Sequence, residues 1–96
     1  MKTTRSTGNV FEDIGFDREE AENLRIRAAL MVELRGLIQR KRLTQVQAAK
    51  LFGVSQPRVS DLVRGKISLF TIDMLVNMLA RAGRKVVLSI TSKRAA

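Results

Sequence analysis

Residues 44–65, TQVQAAKLFGVSQPRVSDLVRG, mark themselves off as two short helices joined by a tight turn. Thr44 with Gln47 three residues on is a capping box, in which the threonine hydroxyl accepts from the third backbone N–H and the glutamine reaches back, so a helix is expected to begin there. Ala48, Leu51 and Phe52 recur at helical spacing, Ala49 is small where a following helix must cross closely, and Gly53 supplies the left-handed backbone that ends the helix. The chain turns at Gly53 and Val54. Ser55 caps a second helix, and Pro57 suits its first turn, where the missing N–H has no intrahelical partner. Val59 and Leu62 give that helix one apolar stripe before Gly65 stops it. Gln56, Arg58, Ser60, Asp61 and Arg64 fall off the stripe, with Gln56 and Arg58 near its N-terminal end.

The flanking sequence continues in helical period. A long helix is expected from Asp17 to about Lys41, with Ile26, Leu30, Leu34, Leu37 and Ile38 on one apolar face and Leu24, Ala28 and Met31 widening it. Ile72, Leu75, Val76, Leu79 and Ala82 predict a fourth helix, closed by Gly83. Beyond it KVVLSIT, residues 85–91, is β-branched and alternating, which predicts a strand with Val86, Leu88 and Ile90 on one face. The expected fold is mainly α: a bundle of about four helices with one C-terminal β-strand. It divides into a basic, disordered tail over 1–8, a segment over 9–16, the helical domain over 17–83, and a strand and tail over 84–96. A lone strand has a sticky edge, and an identical strand from a second copy satisfies it, so Val86, Leu88 and Ile90 point to a homodimer. Pairing with residues near Val10, or a solvated tail, is the alternative.

Charge narrows the class. The 96 residues carry 18 Lys plus Arg against 9 Asp plus Glu, a formal +9 that is a footprint of nucleic-acid binders. The excess is uneven: residues 9–24 hold six acids (Glu12, Asp13, Asp17, Glu19, Glu20, Glu22) against Arg18 alone. Asp17 with Glu20 reads as a further capping box, so these carboxylates suit helix starts better than acid–base chemistry. With no Cys and no His, disulfides, thiol and imidazole catalysis and most zinc sites are excluded; no metal, no cofactor and no enzymatic activity are expected. MKTTRSTGNV lacks the apolar run of a signal peptide, and the longest unbroken apolar stretch, Ala28 to Val32, is too short to span a bilayer, so a cytoplasmic protein without membrane partners is expected.

On Gln45, Ala49, Gly53, Val54, Val59 and Leu62, the segment from Thr44 to Gly65 resembles the helix-turn-helix of the lambda-repressor and Cro-like (XRE) family. The resemblance extends outward. NVFEDIGF (9–16), the long helix, RLTQVQAAKLFGVSQPRVSDLVRGK (42–66) and SLFTIDMLVNMLARAGRKVVLSI (68–90), in that order, are similar to XRE-type antitoxins of HigA-like toxin–antitoxin modules. What this implies is a lambda-repressor-like fold and a repressor of its own operon. It also implies a partner, a RelE/HigB-like toxin, which in that family is a ribosome-dependent mRNA endonuclease held inactive by the antitoxin.

On double-stranded DNA, Gln56 and Arg58 are the expected base readers, because glutamine bonds bidentately to adenine and arginine to guanine, and Pro57 suits a thymine methyl. Ser60 and Asp61 are secondary candidates; Asp61 alternatively pairs with a neighbouring arginine or excludes wrong bases. Thr44, Gln45, Ser55, Arg64, Lys66 and Ser68, at helix starts or beside the second helix, are expected on phosphates. Two copies related by a two-fold axis suit a palindromic operator. Val10, Phe11, Glu12, Asp13, Ile14 and Phe16 are where contact with a basic toxin is expected, unless Phe11 and Phe16 tuck under the long helix as core. A stand-alone XRE regulator without a toxin is the second reading. A basic protein-interaction or RNA-binding module is the third, and it has no Tyr or Trp to serve as a stacking platform.

Overall fold

The computed structural model describes residues 8–92. Five helices run α1 (Val10–Asp13), α2 (Arg18–Arg40), α3 (Gln45–Phe52), α4 (Gln56–Val63) and α5 (Ile72–Arg81), with a 3₁₀ turn over Ile67–Leu69 between the last two. Each longer helix starts where a short polar side chain supplies the acceptor that its first turn lacks. Asp17 Oδ1 accepts from Glu20 N at 2.8 Å, Ser55 Oγ from Arg58 N at 3.3 Å, and Thr71 Oγ1 from Met74 N at 3.1 Å. At α3 both halves of the capping box form: Gln47 N donates to Thr44 Oγ1 at 3.1 Å, and Thr44 N donates to Gln47 Oε1 at 2.9 Å.

The helix α2 is the strut of the fold. It packs on α5, α1, α4 and the 3₁₀ turn, while α3 packs on α4 and α5. Met31, Leu34, Leu37, Ala48, Phe52, Val59, Leu62, Phe70, Leu75, Met78 and Leu79 form one buried cluster. On α2 the deepest positions are Ala21, Leu24, Met31, Leu34 and Leu37, whereas Ile26, Leu30 and Ile38 are half-buried. The core-facing stripe is therefore rotated toward the residues expected only to widen it, because α5 and the 3₁₀ turn lie over that side.

Two helical features went unpredicted. The segment 9–16 contains the short α1, organised by Asn9, whose Oδ1 accepts from Phe11 N and Glu12 N at 3.0 and 3.3 Å and whose Nδ2 donates to Ala21 O at 3.1 Å. The 3₁₀ turn places Phe70 in the core at 1% exposure. The strand expected over residues 85–91 does not form: residues 84–92 have no regular secondary structure, and no strand occurs among the described residues. A strand takes its hydrogen bonds from another strand, and the described residues offer none; the residues near Val10 that were its internal alternative are helical. Val86 is half-buried against the core, but Val87, Leu88 and Ile90 are 83%, 79% and 94% exposed, so the alternation does not sort one face inward. Apart from Gly8, the basic tail expected over 1–8 lies outside the described residues.

Gly53 carries the turn between α3 and α4 at φ +71°, and Val54 N closes on Ala49 O at 3.0 Å. A Cβ added there would overlap the Arg81 side chain, which crosses the end of α3 from the last turn of α5. The guanidinium also suits the partial negative charge of a helix C-terminus. Gly53→Ala is expected to destabilise by about 2 kcal/mol, combining the left-handed backbone with this overlap. In an Arg81→Ala background the loss should fall to about 1 kcal/mol, the backbone part alone. Urea denaturation of the four proteins of this cycle measures both. Leu34→Ala, at 0% exposure, should cost about 3 kcal/mol in the same assay.

Candidate nucleic-acid interface

The helices α3 and α4 meet at Gly53 and Val54 and pack on each other, and the burial of Ala48, Phe52, Val59 and Leu62 turns their other faces outward. Gln56 and Pro57 occupy the first turn of α4 and are exposed. Ser60 and Asp61 are half-buried further along it. Arg58 is not extended into solvent: Nη1 donates to Leu69 O at 3.1 Å, the guanidinium carbon lies 5.5 Å from the centroid of the Phe70 ring, and Asp61 Oδ2 is 3.7 Å away. Of the roles open for Asp61, the structure displays the pairing with an arginine.

Thr44, Gln45, Ser55, Arg64, Lys66 and Ser68 are all exposed. Thr44 and Ser55 also cap α3 and α4, so each lies beside first-turn N–H groups that lack intrahelical partners and carry the positive end of the helix dipole. Such a helix start favours an anion. Arg64, Gly65 and Lys66 leave α4 through a turn in which Gly65 has φ +73°, Gly65 N closes on Leu62 O at 3.0 Å and Lys66 N on Asp61 O at 3.0 Å.

Three residues around that turn escape a reading of the sequence. Arg27 of α2 donates through Nη1 to Ile67 O at 3.0 Å and Phe70 O at 3.2 Å, while its Nε donates to Asn23 Oδ1 at 2.6 Å. Arg35, also on α2, brings its guanidinium beside Gly65, 3.8 Å from where a Cβ would stand. Phe70 forms the floor under Arg58. The i,i+4 spacing of Asn23 and Arg27 is visible in the sequence, but the carbonyls that Arg27 reaches lie 40 and 43 residues away. Arg27, Arg35 and Arg58 thus gather positive charge around a turn that already exposes Arg64 and Lys66.

The other expected sites lie apart from this one in the chain. Val10 and Ile14 are 63% and 67% exposed, Phe16 is 39% exposed, and Asp13 is exposed, while Phe11 and Glu12 are half-buried. Phe11 and Phe16 meet edge to face, with ring centroids 6.3 Å apart. The tuck under α2 therefore describes Phe11 better than Phe16. Leu88 and Ile90 are exposed and Val86 is not. No helix among the described residues is long and apolar enough to cross a membrane.

Residues 10–91 match the model of a family described as "Helix-turn-helix domain", a match that takes in α1 and most of the extended tail as well as the α3–α4 pair. A solved structure named "Putative XRE Family Transcriptional Regulator" is similar at a TM-score of 0.72 and 34% identity, over 80% of this chain and 90% of that one. No curated protein matches the sequence. With a family match across most of its length and a structural relative of this identity, the chain belongs to the helix-turn-helix domain family, as an XRE-type member.

Proposed function

We propose that this protein is a sequence-specific DNA-binding transcriptional regulator that represses by occupying an operator. The observation that carries this reading is the exposed start of α4, with Gln56 and Pro57 outermost, inside an XRE-type helix-turn-helix domain. A helix laid in the major groove reads with such N-terminal residues, and a bidentate glutamine–adenine pair discriminates by about 1–3 kcal/mol. Thr44, Gln45, Ser55, Arg64, Lys66 and Ser68 supply sequence-blind phosphate contacts, and the Arg35 guanidinium beside Gly65 joins them. The net charge of +9 draws the whole domain to the duplex.

The finer reading is an antitoxin that autoregulates its operon. It works as a homodimer on a palindromic site and neutralises a RelE/HigB-like toxin. Its support is the similarity of residues 9–90 to HigA-like antitoxins, together with exposed Val10, Ile14 and Phe16 in the acidic stretch of an otherwise basic chain. Exposed apolar side chains interspersed in sequence with carboxylates suit a basic protein. Leu88 and Ile90, exposed on the tail, are the proposed contact between copies. A stand-alone regulator needs the same DNA contacts and no such partner. Affinity capture of the chain from its host followed by mass spectrometry separates the two: a co-purifying small basic nuclease supports the antitoxin, and its absence favours the stand-alone regulator.

For DNA, duplexes recovered from a randomised pool are compared with a scrambled duplex. Gln56→Ala should weaken the recovered duplex by about 1–3 kcal/mol and leave the scrambled one unchanged. Lys66→Ala should weaken both alike and reduce the slope of log affinity against log salt by about one. Titrations at several salt concentrations read both, and a wild-type chain that recovers no preferred sequence would defeat this function. Light scattering on a chain cut after Gly83 should give a monomer; an unchanged dimer would remove the tail from the contact between copies.

A further inference from the structure

We infer that Arg58 is a positioning residue and not a base reader: it fixes the turn that presents Lys66 and Ser68 relative to α4. This rests on the DNA-binding reading above and assigns a different role to one residue within it. The guanidinium already has three partners, the Leu69 carbonyl at 3.1 Å and the Asp61 carboxylate at 3.7 Å, both through Nη1, and the Phe70 ring at 5.5 Å. Phe70 is 1% exposed, so the ring beneath Arg58 is fixed by the core and cannot follow the side chain outward. To bond a guanine through Nη1, Arg58 would have to give up the Leu69 carbonyl and the Asp61 carboxylate, whereas Gln56 already stands in solvent.

The turn itself explains why an arginine belongs there. Its carbonyls need donors, since a three-residue 3₁₀ turn satisfies few of its own. Arg27 takes Ile67 O and Phe70 O from the α2 side, and Arg58 takes Leu69 O from the α4 side. Between them Lys66 and Ser68 are exposed, held in one register with the recognition helix. Arg58 therefore acts on DNA through the placement of phosphate contacts, and its removal should be felt on every sequence.

The test uses the full chain, the duplex recovered from a randomised pool by the wild type, and a scrambled duplex. Arg58→Ala should lose affinity for both by the same factor, about tenfold, as a charge-assisted hydrogen bond and a ring contact are lost together. Arg58→Met, which keeps the stem over Phe70 and drops the donor, should lose about threefold on both. A pool selected by Arg58→Ala should return the wild-type sequence, and the Leu69 and Phe70 amides, bonded to Lys66 O and Ile67 O, should exchange faster in the variant. A base preference that disappears from the variant's pool, or a loss confined to the recovered duplex, overturns the inference. Unchanged exchange at Leu69 and Phe70 overturns it as well, and does so independently of DNA. A wild type that binds no duplex defeats the functional reading instead, and the exchange measurement still decides whether Arg58 holds the turn.

Discussion

Neither α3 nor α4 is long enough to stand alone. Each spans eight residues, below the length at which an isolated helix is even marginal in water, so the angle between them exists only through what they share. They share the burial of Ala48, Phe52, Val59 and Leu62 against the long helix and α5. Every outward feature of the motif depends on that burial. The exposed start of α4, the capped start of α3 and the turn after α4 are surfaces of helices whose inner faces are locked.

Three joints in this arrangement are closed by contacts from other parts of the chain. Arg81, from the end of α5, lies across the glycine where α3 gives way to α4. Arg27 reaches from α2 to the carbonyls past the end of α4. Asn9, the one buried polar side chain among the described residues, ties the short α1 to the carbonyl of Ala21. A buried amide must find partners for both its halves, and Asn9 does so by spending its oxygen on the helix it starts and its nitrogen on the helix it docks against.

What could be read from the sequence follows the range of the interactions. Thr44, Ser55 and Asp17 act over three residues, so the starts of α2, α3 and α4 were legible, and so were the turn at Gly53 and the burial of Val59 and Leu62. The exposure of Gln56 and Arg64 followed from the stripe they fall off. The strand did not follow, because alternation in residues 85–91 records only a capacity to pair and the pairing edge must come from elsewhere. Arg58 stood at the right place on the helix for a reader, but its actual neighbours, Leu69 and Phe70, lie eleven and twelve residues on, beyond a turn that periodicity does not announce.

Arg27 and Arg58 grip main-chain oxygens of the 3₁₀ turn, and Arg58 also a ring in the core; neither grips the side chains at positions 66 and 68. A carbonyl is the same acceptor whatever residue bears it. The turn is thereby insulated from its own exposed composition: lysine and serine there can be exchanged for other residues in the course of descent without loosening the loop that carries them. A domain built this way can retune its attraction to a charged polymer at small structural risk, while substitutions at Arg27, Arg58 or Phe70 disturb the geometry on which any such retuning relies.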